Sequence, residues 1–185
     1  MMQSTIQAPR LTLVPMNDDH LEHEIALDAR PEVMRFLGNG VARERAEVEK
    51  HHNGRLKSAR DGLGYWTGFV GTQFVGWWLL APAGNDERGQ AEIGYRLSPD
   101  FWRQGFASEG AKALLAYGFD ELSLTQIFAE TMTINEGSRA VLSRLGMSHL
   151  RTRDVGQISS IPESEQGNVD YVITKKEWEK LRSAP

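Results

Sequence analysis

The sequence predicts an α/β fold of the α+β type, in which one mixed, mostly antiparallel sheet of about six to seven strands is flanked by helices. Two observations predict it: strand-like alternation fills the first half of the chain, and apolar residues at helical spacing appear later, between further strands. The six clearest strand segments are residues 10–14, 65–70, 73–80, 90–97, 126–134 and 168–174. Because no repeat or linker interrupts them, we expect one domain over residues 1–185.

The first half of the chain contains predicted helices followed by an antiparallel meander. Asn17 is an N-cap residue for a helix after the first strand, and residues 31–37 form a short helical turn. Residues 42–59 are highly charged with few apolar positions, so we predict a mostly exposed helix in which His51 and His52 are solvated. A Gly-Thr pair then joins two strands as a hairpin.

The hairpin strands carry two pairs of neighbouring aromatic residues. Successive side chains of a strand point to opposite faces of the sheet. One member of Trp77-Trp78 therefore belongs in the core and the other can line a cleft, and Tyr65-Trp66 divides in the same way. A polar loop is predicted at residues 84–89.

Two helices of the second half have clear boundaries. The first has one apolar face, made by Ala111, Leu114, Leu115, Gly118, Phe119 and Leu122. Asn135 is the N-cap of the second helix, which Gly146 ends just beyond its last residue. Residues 175–182 indicate a short polar helix at the end of the sequence.

Composition excludes several classes of protein. With 21 basic and 25 acidic residues the net charge is −4, so the chain has no basic field for nucleic acid. It has no cysteine, which excludes disulfide scaffolds, cysteine-ligated zinc and thiol nucleophiles. Residues 1–10 lack the apolar core of a signal peptide, and no apolar run approaches the ~20 residues of a membrane span. We therefore expect a cytoplasmic protein that binds neither nucleic acid nor membrane.

Residues 91–110 are the most informative segment, because a strand ends there, a glycine-containing loop follows and an amphipathic helix begins. Such a junction directs backbone N–H groups and the positive helix end at one point, where phosphate groups bind. Gly105 would let an anion approach closely, and small Ala107 would keep the first turn open. An ordinary strand-to-helix turn is the alternative. The P-loop and dinucleotide-binding glycine patterns both fail to match, which argues against a nucleoside triphosphatase.

This segment resembles the acetyl-CoA signature of the GNAT N-acetyltransferase superfamily, [Gln/Arg]-x-x-Gly-x-[Gly/Ala]. Gly105 and Ala107 occupy its small positions. Trp102 stands at its first position, so that Phe-Trp-Arg-Gln-Gly-Phe-Ala is similar to the Tyr-Trp-x-x-Gly-Tyr-Ala version of RimJ/RimL-type members.

A second block agrees with the first. Asn135-Glu-Gly-Ser138, followed by Val141-Leu-Ser-Arg-Leu-Gly-Met147, resembles the Asn-x-x-Ser and Val-Leu-x-x-Leu-Gly-Phe segments of the same family. Glu-Ile-Gly-Tyr at residues 92–95 is similar to its central strand. Two motifs in the family's order, on the predicted elements, make the resemblance specific over most of the chain.

The resemblance implies that acetyl-CoA is the cosubstrate, without a metal, and that it lies where the central sheet splays open. Backbone amides of the loop would bind its pyrophosphate, namely those of Arg103, Gln104, Gly105, Phe106, Ala107 and Ser108. The strand end near Leu97 would pair with pantetheine and offer the thioester oxygen an N–H, a donor worth ~3 kcal/mol. Asn135 would hydrogen-bond the pantetheine arm, serve as an N-cap, or do both.

The implied reaction is direct attack of a neutral amine on the thioester. Glu92, on the central strand, is the expected base; an exposed or salt-bridged carboxylate is the alternative, and Glu130 is the reserve base. We expect a primary amine as acceptor, first a protein N-terminus. A small amine, such as a polyamine, an amino acid derivative or an antibiotic, is the alternative. A homodimer is left open.

The leaving thiolate raises the question of a general acid. Many family members carry a tyrosine where this chain has Leu142, so the acid is either absent or replaced by Ser138. The alternative is that Ser138 only satisfies the first helical turn. Because the tyrosine is missing, a non-catalytic acyl-CoA-binding sensor is a further alternative.

Overall fold

The computed structural model describes residues 2–83, 89–158 and 160–183. Residues 84–88 of the predicted polar loop lie outside this part of the chain. The strands are β1 (Ile6–Gln7), β2 (Thr12–Pro15), β3 (Gly64–Val70), β4 (Gln73–Pro82), β5 (Gln90–Leu97), β6 (Gln126–Met132), β7 (Ser148–Arg153) and β8 (Asn168–Thr174). They form one sheet in the order β1-β2-β3-β4-β5-β6-β8-β7, in which β5 and β6 are parallel and the other neighbouring pairs are antiparallel.

The mixed, mostly antiparallel sheet is confirmed, but it has eight strands rather than six to seven. The two additional strands, β1 and β7, are the two edge strands of the sheet. β1 is only two residues long, too short for a periodic signal. β7 has the polar sequence Ser-His-Leu-Arg-Thr-Arg and is largely exposed on both faces, so it lacks the alternation by which the other strands are recognised.

The helices are α1 (Leu21–Asp28), α2 (Pro31–Met34), α3 (Arg45–Ser58), α4 (Phe106–Ala116), α5 (Glu136–Arg144) and α6 (Lys175–Ser183). Asn17 caps a short 3₁₀ turn before α1 by accepting the Asp19 N–H at 3.0 Å. Gly146 follows the C-cap of α5 with φ of +80°, as predicted. None of the helices in the described ranges is both long and apolar enough to cross a bilayer.

The sheet has two differently covered faces. The face under α4 and α5 carries the main core, which includes Trp66, Trp78, Leu80, Ile93, Leu114 and Ile127. The face under α1–α3 carries a smaller apolar cluster of Met16, Leu27, Val33 and Trp77. The predicted division of the aromatic pairs is confirmed, because Trp66 and Trp78 are core residues while Tyr65 and Trp77 lie on the α3 face.

The charged helix α3 is less exposed than its sequence indicates. Val48, His52 and Arg55 are all buried. The imidazole Nδ1 of His52 lies 2.7 Å from the Glu24 carboxylate of α1, and Arg55 forms an ion pair with the same carboxylate. The expectation that His52 is solvated is therefore wrong. Its partner lies 28 positions earlier in the chain, and the pattern of α3 alone contains no sign of it.

Candidate active site

A wedge opens between β5 and β6. Their parallel pairing covers only three positions and ends where Glu92 is opposite Phe128. Beyond this pair, residues 93–97 of β5 stay paired with β4, while residues 129–132 of β6 pair with β8. The facing edges of β5 and β6 therefore separate toward their carboxyl ends, which leaves backbone groups of a buried sheet available to an extended ligand.

The loop from Arg103 to the start of α4 lies beyond the carboxyl end of β5. Arg103 and Gly105 both have left-handed backbone conformations, with φ of +58° and +87°. Glu109 is the first residue whose N–H donates within the helix, to the Gly105 carbonyl at 3.0 Å. In the described chain, no amide from Arg103 to Ser108 donates to a backbone carbonyl. Such a run of free amides with a left-handed residue forms an anion-binding nest.

The loop is held by contacts with distant parts of the chain. Arg10, which precedes β2, donates from its backbone N–H and its Nε to the two carboxylate oxygens of Glu109, both at 2.7 Å. Its guanidinium also donates to the Gln104 carbonyl at 3.1 Å and lies 4.3 Å from the Phe106 ring centre. Trp102 Nε1 donates to the Leu97 carbonyl at 2.9 Å. These contacts fix the loop while its amides remain unpaired.

Ser108, in the first turn of α4, supports a ligand at this position. Its Oγ is buried and has no hydrogen-bond partner among the described residues. Buried hydroxyls nearly always have one. A phosphate oxygen at the nest would supply it, so the residues present fit the pyrophosphate of a nucleotide-type cosubstrate.

Glu92 lies at the closed end of the wedge, on the sheet face that α1–α3 cover. Its side chain is exposed and receives no hydrogen bond from the described residues. Desolvation by the surrounding protein raises the pKa of this carboxyl, and the charges of Glu130 and Asp170 raise it further, against the opposing charge of Arg153. Glu92 is therefore more basic than an ordinary glutamate.

Glu130, the reserve candidate, lies in a different environment. Its carboxylate forms an ion pair with Arg153 and accepts a hydrogen bond from Asn168. Arg153 is held in turn by Asp170, at 2.9 Å. The lone pairs of Glu130 are thus already engaged. Of the two candidate bases, Glu92 is the one whose carboxylate has no partner among the described residues.

Asn135 and Ser138 lie at the start of α5, across the wedge from β5. Asn135 is the N-cap, since its Oδ1 accepts the Ser138 N–H at 3.1 Å. The Ser138 hydroxyl lies 3.1 Å from the hydroxyl of Tyr95, which projects from the open part of β5. Burial raises the pKa of Tyr95 to about 12. Leu142, at the usual tyrosine position, is 1% exposed and packs in the core.

Tyr95 is the main residue of this pair that sequence reasoning missed. The Glu-Ile-Gly-Tyr block contains it, and its position in β5 is the signal that could have identified it. Three residues after Glu92, it lies on the opposite face of the strand, toward α5.

A second feature unforeseen in the sequence is a cavity of about 410 Å³ between α3 and the sheet, on the same face as Glu92. We call it the cationic cavity, and its defining side chains are Arg43, Lys50, Arg55, Tyr65, Trp77 and Arg96. Tyr65 and Trp77 are the two aromatic residues expected to line a cleft. The four cations come from α3, the segment before it and β5, which no local motif connects.

Comparisons with known proteins show which family the chain belongs to. The family model described as an acetyltransferase (GNAT) domain matches residues 10–148 of the sequence. The chain is 39% identical over 188 residues to the FsC-acetyl coenzyme A-N(2)-transacetylase of Aspergillus fumigatus, covering 97% of this chain and 80% of that protein.

Solved structures show the same fold. A GNAT-family acetyltransferase from Bacillus anthracis has a TM-score of 0.78 at 20% identity, covering 94% of this chain and 99% of that one. RimL, described as a ribosomal L7/L12 α-N-protein acetyltransferase in complex with coenzyme A, has a TM-score of 0.77 at 18% identity, covering 92% and 98%. Since the family model matches most of the chain and the A. fumigatus relative aligns with nearly all of it, this protein belongs to the GNAT family of acetyl-CoA-dependent N-acetyltransferases.

Proposed function

We propose that this enzyme transfers the acetyl group of acetyl-CoA to a primary amine of a small molecule by direct attack, with Glu92 as the base. The observation that carries the proposal is the position of Glu92: an unpaired carboxylate of raised pKa at the closed end of the wedge between β5 and β6. The wedge admits an extended cosubstrate, and the α3 face leaves room for an acceptor.

The cosubstrate end of the site relies mainly on backbone. Acetyl-CoA supplies an activated thioester when bound. The amides of Arg103, Gln104, Gly105, Phe106, Ala107 and Ser108 hold its pyrophosphate, with the Ser108 hydroxyl as an additional donor. The open edge of β5 up to Leu97 pairs with the pantetheine arm, and the side-chain amide of Asn135 contacts it from α5. The residues that supply these backbone contacts lie in the segment that resembles the RimJ/RimL-type motif, and we assign the chain to that type.

Glu92 accepts the proton of the attacking amine, directly or through one water. An amine cannot attack while protonated, and a glutamate of raised pKa takes a proton more readily than an ordinary one. The free carboxylate of Glu92, against the engaged one of Glu130, supports this choice of base.

The hydroxyls of Tyr95 and Ser138 donate hydrogen bonds to the leaving thiolate. An ordinary thiol has a pKa of about 8.5. Full proton transfer from Tyr95, with a pKa of about 12, would thus be uphill by roughly 3.5 units, or ~5 kcal/mol. Tyr95 therefore stabilises the thiolate as a hydrogen-bond donor rather than as a general acid. Two neutral hydroxyls take the place that the missing tyrosine at position 142 leaves open.

An α-amine is the favoured acceptor group. With a pKa of ~7.8, about one-seventh of α-amines are neutral at pH 7, against one in a few thousand for a lysine-like amine of pKa ~10.4. This difference corresponds to ~3.5 kcal/mol that the base need not supply. The name of the A. fumigatus relative gives N(2) of FsC as its acceptor, which favours a small molecule over a protein N-terminus. The resemblance to RimL is one of fold, at 18% identity.

The test is thiol release from acetyl-CoA over a panel of amines, with mass spectrometry of each product for the acetyl increment of ~42 Da. The panel pairs small α-amines, such as amino acid amides and dipeptides, with long peptides that carry the same N-terminal residue. We expect at least tenfold higher kcat/KM for the small members. Equal rates with the long peptides would favour a protein N-terminus as the acceptor instead. No thiol release with any amine would contradict the proposed activity.

A further inference from the structure

The cationic cavity presents hydrogen-bond donors and hardly any acceptors. Arg43, Lys50, Arg55 and Arg96 bring four cations to its wall, and Tyr65 and Trp77 add aromatic surface. No Asp or Glu of the described chain lines it. A cavity with this lining is complementary to an anionic group, above all to the oxygens of a carboxylate or phosphate.

Two buried carboxylates of α1 lie behind these cations, and the exposed Glu47 of α3 also pairs with Arg43, at 3.0 Å. Asp28, which is fully buried, pairs with Arg43 at 3.0 Å and with Arg96. Glu24, also buried, pairs with Arg55 and His52. These contacts fix the guanidinium groups from the α1 side. Lys50 has no ion-pair or hydrogen-bond partner among the described residues, so one positive charge at the cavity is unbalanced.

Two buried donors on the cavity wall have unmet hydrogen-bonding capacity. Arg96 is 8% exposed and Trp77 5% exposed, yet neither Arg96 Nε nor Trp77 Nε1 has a partner in the described chain. The guanidinium carbons of Arg55 and Arg96 both lie within 4.8 Å of the Trp77 ring centre. Burial lowers the pKa of Arg96, and the charges of Arg55 and Arg43 lower it further, against Asp28. Positive charges therefore lie close together at the wall of the cationic cavity, and no acceptor in the described chain satisfies these two donors.

We propose that the cationic cavity binds an anionic group of the acceptor, a carboxylate or a phosphate, and so selects amines that carry a negative charge. This inference rests on the proposed function, because it assumes that the amine of the same molecule attacks beside Glu92.

The geometry sets the length of such an acceptor. Glu92 and Arg96 point to the same face of β5, four residues apart, which corresponds to ~13 Å between their Cα atoms. Tyr65 lies between them, opposite Leu79 of β4, which is opposite Gly94. The side chains of Arg96 and Glu92 occupy part of this distance. We therefore expect several bonds between the amine and the anionic group of the acceptor. The volume of about 410 Å³ suits a small molecule.

Oligoglycine acids and their amides test the inference at constant amine chemistry. Gly-Gly and Gly-Gly-Gly are compared with their C-terminal amides as acceptors, by thiol release from acetyl-CoA. We expect at least a tenfold higher kcat/KM for the acid at the better length. Serine amide against O-phosphoserine amide forms the phosphate arm, and the arm with the larger preference identifies the anion.

Two lysines of α3 provide a matched pair of variants. Lys50→Gln removes a cation at the cavity that has no partner among the described residues, and it should reduce the preference for the acid at least threefold. Lys57→Gln removes an exposed cation of the same helix that does not line the cavity, and should leave the preference unchanged.

A binding measurement separates this inference from the proposed activity. Calorimetry of N-acetyl-Gly-Gly and its amide, in the presence of coenzyme A, requires no turnover. Tighter binding of the acid, lost in Lys50→Gln, supports an anion site even if no amine is acetylated. Equal binding and equal rates of acid and amide in both arms would overturn the inference while acetyl transfer itself could still be observed.

Discussion

The loop before α4 and the cationic cavity differ in the groups that they offer to a ligand. The loop before α4 offers free backbone amides, and its shape depends on Gly105 and on the start of a helix, which are adjacent in sequence. The four cations of the cationic cavity come from three separate segments, and buried carboxylates of a fourth, α1, hold the three arginines. A cosubstrate common to a family can be bound by backbone, whereas an acceptor particular to one enzyme requires side chains. The first region is therefore readable from a motif and the second is not.

Replacement of Glu92 should have the largest effect and should act on the acceptor side only. Glu92→Gln removes the base but keeps the shape of the side chain, so kcat/KM should fall by about 100-fold or more. Affinity for coenzyme A, measured by calorimetry, should stay within twofold. Glu130→Gln is the matched control and should retain most of the activity, because its carboxylate is held by Arg153 and Asn168.

The pH profile sharpens this prediction. The base works as a carboxylate, so kcat/KM should fall as the pH drops below the raised pKa of Glu92. An α-amine acceptor must also be deprotonated, so log kcat/KM of the wild type should have a slope of two below both pKa values and a slope of one between them. In Glu92→Gln the slope should be one throughout. A slope of two in the variant would assign the second proton to another group.

Substitutions in the loop should have smaller effects that follow backbone shape rather than side-chain identity. Gly105→Ala places a Cβ on a residue with φ of +87°, a strain of roughly 1–2 kcal/mol, so the Kd of coenzyme A should rise about tenfold. Gln104→Ala, in the same loop, leaves the amides in place and should change the Kd less than threefold. If Gln104→Ala weakened binding more than Gly105→Ala, side chains rather than amides would hold the pyrophosphate.

The fold and the loop that precedes α4 could be predicted from the sequence because their signals are local. The alternation of Trp77 and Trp78, the cap at Asn135 and the glycine at 146 each depend on a few neighbouring residues. β7 was missed because its residues are largely exposed, without a buried face to create a pattern.

The cationic cavity could not be predicted, because long-range ion pairs create it. Arg96 pairs with Asp28 across 68 positions and Arg55 with Glu24 across 31. The sequence of α3 alone predicts that Arg55 and His52 lie on a solvated helix surface. Tyr95 and Ser138 meet across 43 positions for the same reason. In each case the partner is determined by the packing of α1, α3 or α5 on the sheet, which a single sequence does not specify residue by residue.

A crystal structure with coenzyme A bound tests the central claim most directly. We predict the pyrophosphate within hydrogen-bond distance of the amides between Gly105 and Ser108, and pantetheine along residues 93–97 of β5. The thiol should lie in the wedge near Tyr95 and Ser138, with the Glu92 carboxylate and the cationic cavity open to the acceptor. Coenzyme A seated in the cationic cavity, or a pyrophosphate that is not in contact with the loop, would contradict the account.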